Sequence, residues 1–283
     1  MIYLILAILS SAFVSVFMRL SEEHRKNHIS MLCVNYLICL VLAGSYSGWM
    51  TLFPSGPDIS AADARTSLLL GTFQGIMYLG SFLLLQWNIS KNGVILSATF
   101  MKLGVLVPTL CAILFLHEKP GMLQIIGMIL AVAAILLMNL EKGQKKAGFF
   151  AGLILLLFGG GITDVCAKIY EVIGDPLLKD QFLFYTFAVA LILCILFAVW
   201  KKQRLCSADV LFGALIGIPN YYSARFLLYA LQDVPAVVAY PTYSVATIAA
   251  ISMTGIFLFR EHLSRKQYLA VGIILAALIL LNC

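Results

Sequence analysis

Charged residues are scarce in this chain: they make up 11% of its 283 residues, against about 25% in soluble globular proteins. Hydrophobic residues make up 62%, and the mean hydropathy is +0.99. So apolar a surface would aggregate in water, whereas lipid accommodates it. The composition therefore excludes a soluble globular protein and predicts an integral membrane protein.

The sequence also offers little that would bind a metal ion, a cofactor or nucleic acid. Its seven cysteines form no C-x-x-C motif and lie mostly in apolar runs, where cysteine is a small buried residue. The four histidines lie near predicted loops. The basic residues behind the net charge of +6 sit in short loops, without a basic patch that carries interleaved aromatics. We expect no metal, no cofactor and no nucleic-acid partner.

Apolar runs long enough to cross a bilayer recur along the chain. A spanning helix needs roughly 20 predominantly apolar residues, and lipid-exposed backbone must satisfy its own hydrogen bonds. We therefore predict an all-α integral membrane protein with ten transmembrane helices, numbered first to tenth. They cover residues 2–20, 30–50, 66–88, 93–116, 121–140, 148–170, 181–200, 209–231, 235–259 and 265–282.

The loops at one end of these helices carry most of the basic residues. We call this end the basic face and the other end the opposite face. The positive-inside rule predicts that the basic face is cytoplasmic, with both termini outside a plasma (inner) membrane. The basic face holds Arg19, Arg25, Lys26, Lys91, Lys142, Lys145, Lys146, Lys201, Lys202, Arg204, Arg260, Arg265 and Lys266. The opposite face holds Arg65, Lys119, Lys168 and Lys179.

The chain repeats itself after a shift of 143 residues. Glu118 then falls on Glu261 and Tyr78 on Tyr221, and further amide and hydroxyl residues match in the same register. The predicted repeats are residues 1–140 and 148–283, in one integrated membrane domain. Each contains five helices, an odd number, so the second repeat is inverted. Inverted repeats are typical of secondary transporters whose substrate site lies at the repeat interface.

The segment that closes the fourth helix of each repeat supports the prediction of two inverted repeats. It reads Leu-His-Glu-Lys-Pro around Glu118, with Gln124 and Gly127 after it, and Phe-Arg-Glu-His-Leu around Glu261, with Gln267 and Ala270 after it. With the two five-helix halves, this segment resembles the drug/metabolite transporter (DMT) superfamily in its ten-helix EamA-like branch.

The resemblance implies a pseudo-twofold basket with a central cavity lined mainly by helices 1, 3, 4, 6, 8 and 9. Family members move amino acids, sugars, nucleotide sugars, choline and other metabolites, and many are exporters. Ala270 departs from the glycine at Gly127 in the first repeat. The predicted outside termini also depart from members described with cytoplasmic termini.

Two basic residues lie deep in predicted helices, where a charge is costly unless it faces a cavity or a partner. Lys102 shares a face of the fourth helix with Thr99 and is a candidate contact for a carboxylate-bearing substrate, or else a cap for backbone carbonyls at the repeat interface. Arg225 follows Pro219, which frees a backbone carbonyl in the eighth helix. It is a candidate site residue with Asn220, Tyr221 and Tyr222, or else an interfacial arginine.

Asp164 lies one turn before Lys168 in the sixth helix. An i, i+4 ion pair explains both residues and is the favoured interpretation. The alternative is a carboxylate that couples transport to a proton gradient. Glu118 and Glu261 end long helices and are interpreted as structural or gating residues.

Milder polar residues form stripes on helices that the resemblance places at the cavity. Gln74 and Tyr78 share a face of the third helix, and Tyr243 and Ser244 follow Pro241 in the ninth, where that proline opens the backbone. Single hydroxyls in membrane helices usually link helices, but several stripes favour a wet cavity.

These features favour a secondary transporter, not an enzyme, that moves a small anionic or zwitterionic metabolite, such as an amino acid-like one, by alternating access, with export as the expected direction. An anionic lipid-carrier flippase on the same fold is the first alternative. An intramembrane enzyme is the less favoured one, because Asp164 is the clear membrane carboxylate and no H-E-x-x-H motif occurs. The partners are the substrate and the bilayer. Coupling to a proton or ion, and a monomeric or dimeric state, stay open.

Overall fold

The computed structural model describes residues 1–22, 29–48, 60–92, 94–139, 150–203, 205–257 and 265–282. Within these ranges the chain forms eleven α-helices and a short 3-10 turn at Pro176–Leu178. The helices are α1 Ile2–Glu22, α2 Ile29–Ser47, α3 Ala61–Asn92, α4 Val94–Leu103, α5 Leu106–Phe115, α6 Met122–Asn139, α7 Phe150–Ile173, α8 Lys179–Trp200, α9 Ser207–Asp233, α10 Ala236–Phe257 and α11 Arg265–Leu281.

These helices make ten crossings, because α4 and α5 together form the fourth one. In the described ranges, five helical segments are long and apolar enough to span a bilayer singly, and four shorter apolar segments lie in α1, in α4 with α5, in α6 and in α11. The eighth crossing is the 27-residue helix α9. Large apolar side chains such as Ile5, Leu9 and Phe13 on α1 are exposed, as lipid-facing positions require. The prediction of an all-α membrane protein with ten crossings is confirmed.

The packing of the helices has the symmetry of two inverted repeats. α1 packs against α9 as α7 packs against α3, and α2 packs against α9 as α8 packs against α3. The pairs α2–α8, α5–α10 and α6–α11 each join equivalent helices of the two repeats. Each repeat therefore buries its surface on the other, and the predicted inverted architecture is confirmed.

Small residues allow the repeats to approach closely. Gly71 and Gly75 of α3 face α8, and a Cβ atom at either would lie within 3.0 Å of α8 atoms. Gly213 and Gly217 of α9 face α2 at similarly short range. The two glycine pairs match after a shift of 142 residues, close to that of the repeat. Small-xxx-small spacing drives close helix packing in membranes, so this motif sets the interface that the repeats share.

The buried core forms two clusters. One is rich in alanine and joins α1, α5, α6, α9, α10 and α11. The other is aromatic and joins α2, α3, α7, α8 and α9, with the rings of Tyr170 and Phe182 stacked at 4.1 Å between centroids. A cavity lies between the repeats.

Candidate functional site

The fourth crossing breaks one residue after Lys102. α4 and α5 are separated by a turn at Gly104 and Val105. Glycine has a low helix propensity, and Pro108 lacks the N–H that would bond to the Gly104 carbonyl. That carbonyl instead accepts a hydrogen bond from the Val107 N–H at 3.0 Å. Lys102 therefore lies at the end of a half-helix inside the membrane protein, an arrangement typical of transporter sites.

Backbone breaks were expected elsewhere. Pro219 and Pro241 both lie inside continuous helices, α9 and α10. Neighbouring helices and local adjustments make proline tolerable in membrane helices. The expectation that these prolines open the backbone is therefore corrected.

A cavity of about 410 Å³ lies between the two repeats. Its wall comes from α1, α3, α4, α7, α9 and α10, as the family resemblance implied, and also from α2. One part of the wall is polar, with Asn35, Tyr78, Lys102, Asp164, Asn220 and Tyr243. The rest is apolar and includes Met18, Met31, Leu32, Phe82, Leu85 and Ile216.

The cavity lies in the half of the molecule nearer the basic face. α1 begins at the opposite face, and Val14 and Met18 in its later part line the cavity. α2 begins at the basic face, and residues 31, 32, 35 and 36 in its first half line the cavity. Since α1 and α2 run in opposite directions, both observations place the cavity on the same side.

Lys102 and Asp164 present an ammonium and a carboxyl group to this cavity from different repeats. Within the described part of the chain, neither side chain has an ion-pair partner within 4.0 Å or a hydrogen-bond partner. Each nevertheless lies in the electrostatic field of the other. The Tyr240 hydroxyl donates to the backbone carbonyl of Asp164 at 2.6 Å and fixes α7 against α10. Both groups therefore face the cavity.

An amide pair joins α2 and α9 at the cavity wall. Asn220 donates from Nδ2 to Oδ1 of Asn35 at 3.2 Å, and both side chains line the cavity. The Cys39 thiol donates to the Gly217 carbonyl at 3.3 Å beside them. Asn35 was not predicted as a site residue, although an amide inside an apolar run is a usable signal.

Hydroxyls from α3 and α10 complete the polar wall. The hydroxyls of Tyr243 and Ser223 share a hydrogen bond of 2.8 Å, and Ser244 lines the cavity beside Tyr243. Tyr78 also lines the cavity, and its ring stacks on Phe187 at 6.0 Å between centroids. Three of the four polar residues predicted on these two helices therefore lie at the cavity.

The fourth, Gln74, lies one turn from Tyr78 toward the opposite face and is buried away from the cavity wall. The backbone of Thr99 belongs to α4, but its side chain lies outside what the structure describes. Glu261 lies outside the described residues altogether. The roles predicted for these residues stay predictions.

Arg225 lies away from the cavity in an ion pair with Asp180. Its Nε is 2.6 Å from Oδ1 and its Nη2 is 3.0 Å from Oδ2 of that carboxylate. The guanidinium also lies 3.9 Å from the centre of the Tyr46 ring, a cation–π contact. The expectation that Arg225 is an unpaired cation for a substrate is therefore corrected, because Asp180 of α8 neutralises it.

Tyr221 and Tyr222 belong to the same cluster. The Tyr221 hydroxyl donates to Oδ1 of Asp180 at 3.4 Å, and its ring stacks on Tyr46. The hydroxyls of Tyr222 and Tyr46 are 3.1 Å apart. We call these residues, with Arg225 and Asp180, the outer cluster. It joins α2, α8 and α9 in the half of the molecule nearer the opposite face.

Glu118 links the two repeats at the opposite face. Its carboxylate accepts the backbone N–H groups of Ala236 and Val237 at 3.2 and 3.0 Å, in the first turn of α10. Those N–H groups have no partner within their own helix, and a carboxylate at a helix N-terminus is favourable. Glu118 of the first repeat therefore caps a helix of the second.

Lys168 pairs with carboxylates other than Asp164. Its ammonium is 2.7 Å from Glu171 and 3.4 Å from Glu118. The favoured interpretation of Asp164 and Lys168 as an i, i+4 pair is therefore wrong. Lys168 neutralises the Glu118 cap, and Asp164 is left facing the cavity.

Ten crossings in two inverted repeats, with a charged cavity between them, define a multi-pass membrane protein of transporter architecture. The sequence profile of the EamA-like transporter family matches residues 1–140 and again residues 147–283. The chain belongs to this family, whose members are transporters, and the resemblance seen in the sequence is confirmed.

Two further comparisons found proteins that are similar to this chain over almost its whole length. The chain is 25% identical to an uncharacterized protein of Haemophilus influenzae (strain ATCC 51907 / DSM 11121 / KW20 / Rd) over 286 residues, which cover 97% of this chain and 95% of that protein. A solved crystal structure matches the fold with a TM-score of 0.71 at 10% identity, over 99% of this chain and 98% of its own.

Proposed function

We propose that this transporter moves a small zwitterionic metabolite by alternating access, with Lys102 and Asp164 as its two charged contacts. In this arrangement Lys102 binds the carboxylate of the substrate and Asp164 binds its ammonium group. The observation that carries the proposal is a pair of cavity-facing groups of opposite charge, neither of which has a hydrogen-bond or ion-pair partner within 4.0 Å in the described part of the chain.

The cost of a charge inside the membrane supports a ligand between them. Insertion of Lys or Asp at the centre of a membrane helix costs about 2.5–3.5 kcal/mol. Arg225 and Lys168 offset that cost with carboxylates of the protein. Among the described residues, Lys102 and Asp164 have no partner of opposite charge within 4.0 Å, so a zwitterion that bridges them would place a countercharge against each. In a cavity that excludes most water, these attractions are stronger than in bulk solvent.

The wall of the cavity indicates what the rest of the substrate is like. The amides of Asn35 and Asn220 and the hydroxyl of Tyr243 can hydrogen-bond polar groups near the charges. Beyond them the wall is apolar, with Leu32 and Phe82 among its side chains. The volume of about 410 Å³ lies at the lower end of the roughly 300–1,000 Å³ typical of small-molecule sites. A neutral amino acid-like zwitterion with an apolar side chain fits a cavity whose wall has one polar part and one apolar part.

Alternating access requires one end of the cavity to close as the other opens. The cavity lies toward the basic face, while the outer cluster and the Glu118 cap join the repeats on the opposite side. If the basic face is cytoplasmic, as the positive-inside rule predicts, the substrate loads from the cytoplasm. This supports export as the direction, with release after the contacts of the outer cluster separate.

A thermal-shift screen of the detergent-purified protein tests the proposal. Three probes separate the contributions of the two charges: L-leucine, isoamylamine (which lacks the carboxylate) and 4-methylpentanoic acid (which lacks the ammonium). A ligand at 100 times its Kd stabilises the folded state by about 2.7 kcal/mol. We expect a shift with the zwitterion and much smaller shifts with the amine and the acid.

Matched variants locate the site. Lys102→Met and Asp164→Asn are expected to lose the shift, whereas Lys201→Met and Asp63→Asn, which lie away from the cavity, are expected to keep it. Shifts produced by lipid-linked anions but by none of the three probes would favour the flippase instead. Zwitterion shifts that survive both cavity variants would contradict the assignment of the site.

A further inference from the structure

Two cysteine thiols from different repeats meet between α2 and α8. The sulfur atoms of Cys33 and Cys194 are 3.1 Å apart, and both residues are free thiols. A disulfide bond is about 2.05 Å long, so the sulfurs must approach by roughly 1 Å to become bonded. The two helices pack along each other, which holds the thiols together.

One of the two thiols is accessible and the other is not. Cys33 is half-buried, whereas Cys194 is fully buried. A surface groove of about 570 Å³ near the basic face is lined by Ile29 and Phe197, which lie within one turn of Cys33 and Cys194 respectively. The Cys194 sulfur is also 3.8 Å from the Ile29 carbonyl oxygen. Cys33 is therefore the thiol of the pair that a small oxidant can reach, and Cys194 lies behind it.

Cys33 lies on the stretch of α2 that forms the cavity wall. Residues 31, 32, 35 and 36 line the cavity, whereas no described residue of α8 does. Closing the cavity at the basic face requires this stretch to move relative to the helices behind it. A covalent bond between Cys33 and Cys194 would tie this stretch of α2 to α8. The two helices could then move only together, and the movement of one past the other would be prevented.

From these contacts we propose that Cys33 and Cys194 form a reversible disulfide cross-link that locks the cavity open toward the basic face. The locking effect rests on the proposed alternating-access function, whereas the cross-link itself does not. A peroxide oxidises the Cys33 thiol to a sulfenic acid and releases one water. The Cys194 thiol then attacks the sulfenic sulfur, which forms the S–S bond and releases a second water. The two thiols lose two electrons to the peroxide, and a dithiol reductant reverses the bond.

The experiment oxidises the reduced full-length protein in proteoliposomes with hydrogen peroxide. Mass spectrometry of digested protein scores a peptide linked between Cys33 and Cys194, and exchange of radiolabelled L-leucine scores transport. We expect the linked peptide to appear together with a loss of exchange, and dithiothreitol to restore exchange. Cys33→Ser is expected to keep exchange after oxidation, whereas the control Cys206→Ser, which removes an exposed thiol, is expected to lose it as the wild type does.

Each result decides a separate part of the proposal. Oxidation that modifies other cysteines without linking Cys33 to Cys194 would overturn the cross-link. A linked peptide with unchanged exchange would overturn the lock. If the reduced protein exchanges no zwitterion at all, the proposed function fails, and the linked peptide still decides whether the cross-link exists. Cys194 is buried, so Cys194→Ser is the variant at risk of unfolding. Cys33→Ser, at the half-buried partner, is therefore the variant used for the test.

Discussion

The ion pair between Arg225 and Asp180 provides the sharpest prediction about stability. Its two contacts, at 2.6 and 3.0 Å, are bidentate, and the side chains are only 18% and 16% exposed. Removing one partner of a buried pair costs about 3–5 kcal/mol, because the other charge is left uncompensated. The residual exposure places the expected loss at the lower end, about 3 kcal/mol for Arg225→Met or Asp180→Asn.

The double variant tests whether the pair accounts for that loss. Arg225→Met with Asp180→Asn leaves no unpaired charge, so we expect it to be no less stable than either single variant. The coupling energy is then about 3 kcal/mol, well above the roughly 0.5 kcal/mol typical of independent sites.

Thermal unfolding of the detergent-purified variants, followed by tryptophan fluorescence, measures this cycle. A loss of 3 kcal/mol lowers the Tm by roughly 6 °C at about 2 °C per kcal/mol. Lys201→Met, at an exposed lysine, serves as the control and should leave the Tm unchanged. If the stability losses of the two single variants add up in the double variant, the predicted coupling is refuted, because the two residues then do not stabilise one another.

Three further predictions follow from close contacts. Gly161→Ala places a Cβ atom 2.5 Å from the Gly104 carbonyl oxygen and should destabilise the protein by about 1–3 kcal/mol in thermal unfolding. In the control Gly80→Ala, the new Cβ atom meets no atom within 4 Å, and the stability should not change. Glu118→Ala removes the cap of α10 and should cost about 1–2 kcal/mol by the same measurement, with Glu118→Gln less harmful because it keeps an acceptor oxygen. Asn220→Leu removes the amide partner of Asn35 and should weaken zwitterion binding in the thermal-shift screen, and an unchanged apparent Kd would contradict a role for the amide pair.

The fold could be predicted from the sequence because lipid imposes simple rules. The lengths of the apolar runs predicted the crossings. Matches in a single register, such as Glu118 with Glu261, revealed the repeat. The break in the fourth crossing was missed because Gly104 and Pro108 have no feature that separates them from the other glycines and prolines of the chain. Pro219 gave the stronger local signal, yet packing keeps α9 continuous around it.

The candidate site could be predicted only in part. Lys102 was conspicuous as an isolated charge in an apolar run, and the structure places it at the cavity. The partner of Arg225 could not be predicted, because Asp180 lies 45 residues earlier, just before the predicted start of the seventh helix. Asp164 was assigned to Lys168 because sequence spacing reveals neighbours on one helix only. The carboxylates that bind Lys168 include Glu118, which the fold brings from the loop between α5 and α6.

The central claim is that Lys102 and Asp164 together bind a zwitterion that the protein carries across the membrane. Counterflow in proteoliposomes tests it most directly, with L-leucine loaded inside and radiolabelled L-leucine outside. We expect accumulation of label by the wild type, its loss in Lys102→Met and in Asp164→Asn, and no competition by isoamylamine or 4-methylpentanoic acid alone. If both variants accumulate as much label as the wild type, the proposed role of Lys102 and Asp164 is contradicted, because the two charged groups would then take no part in carrying the substrate.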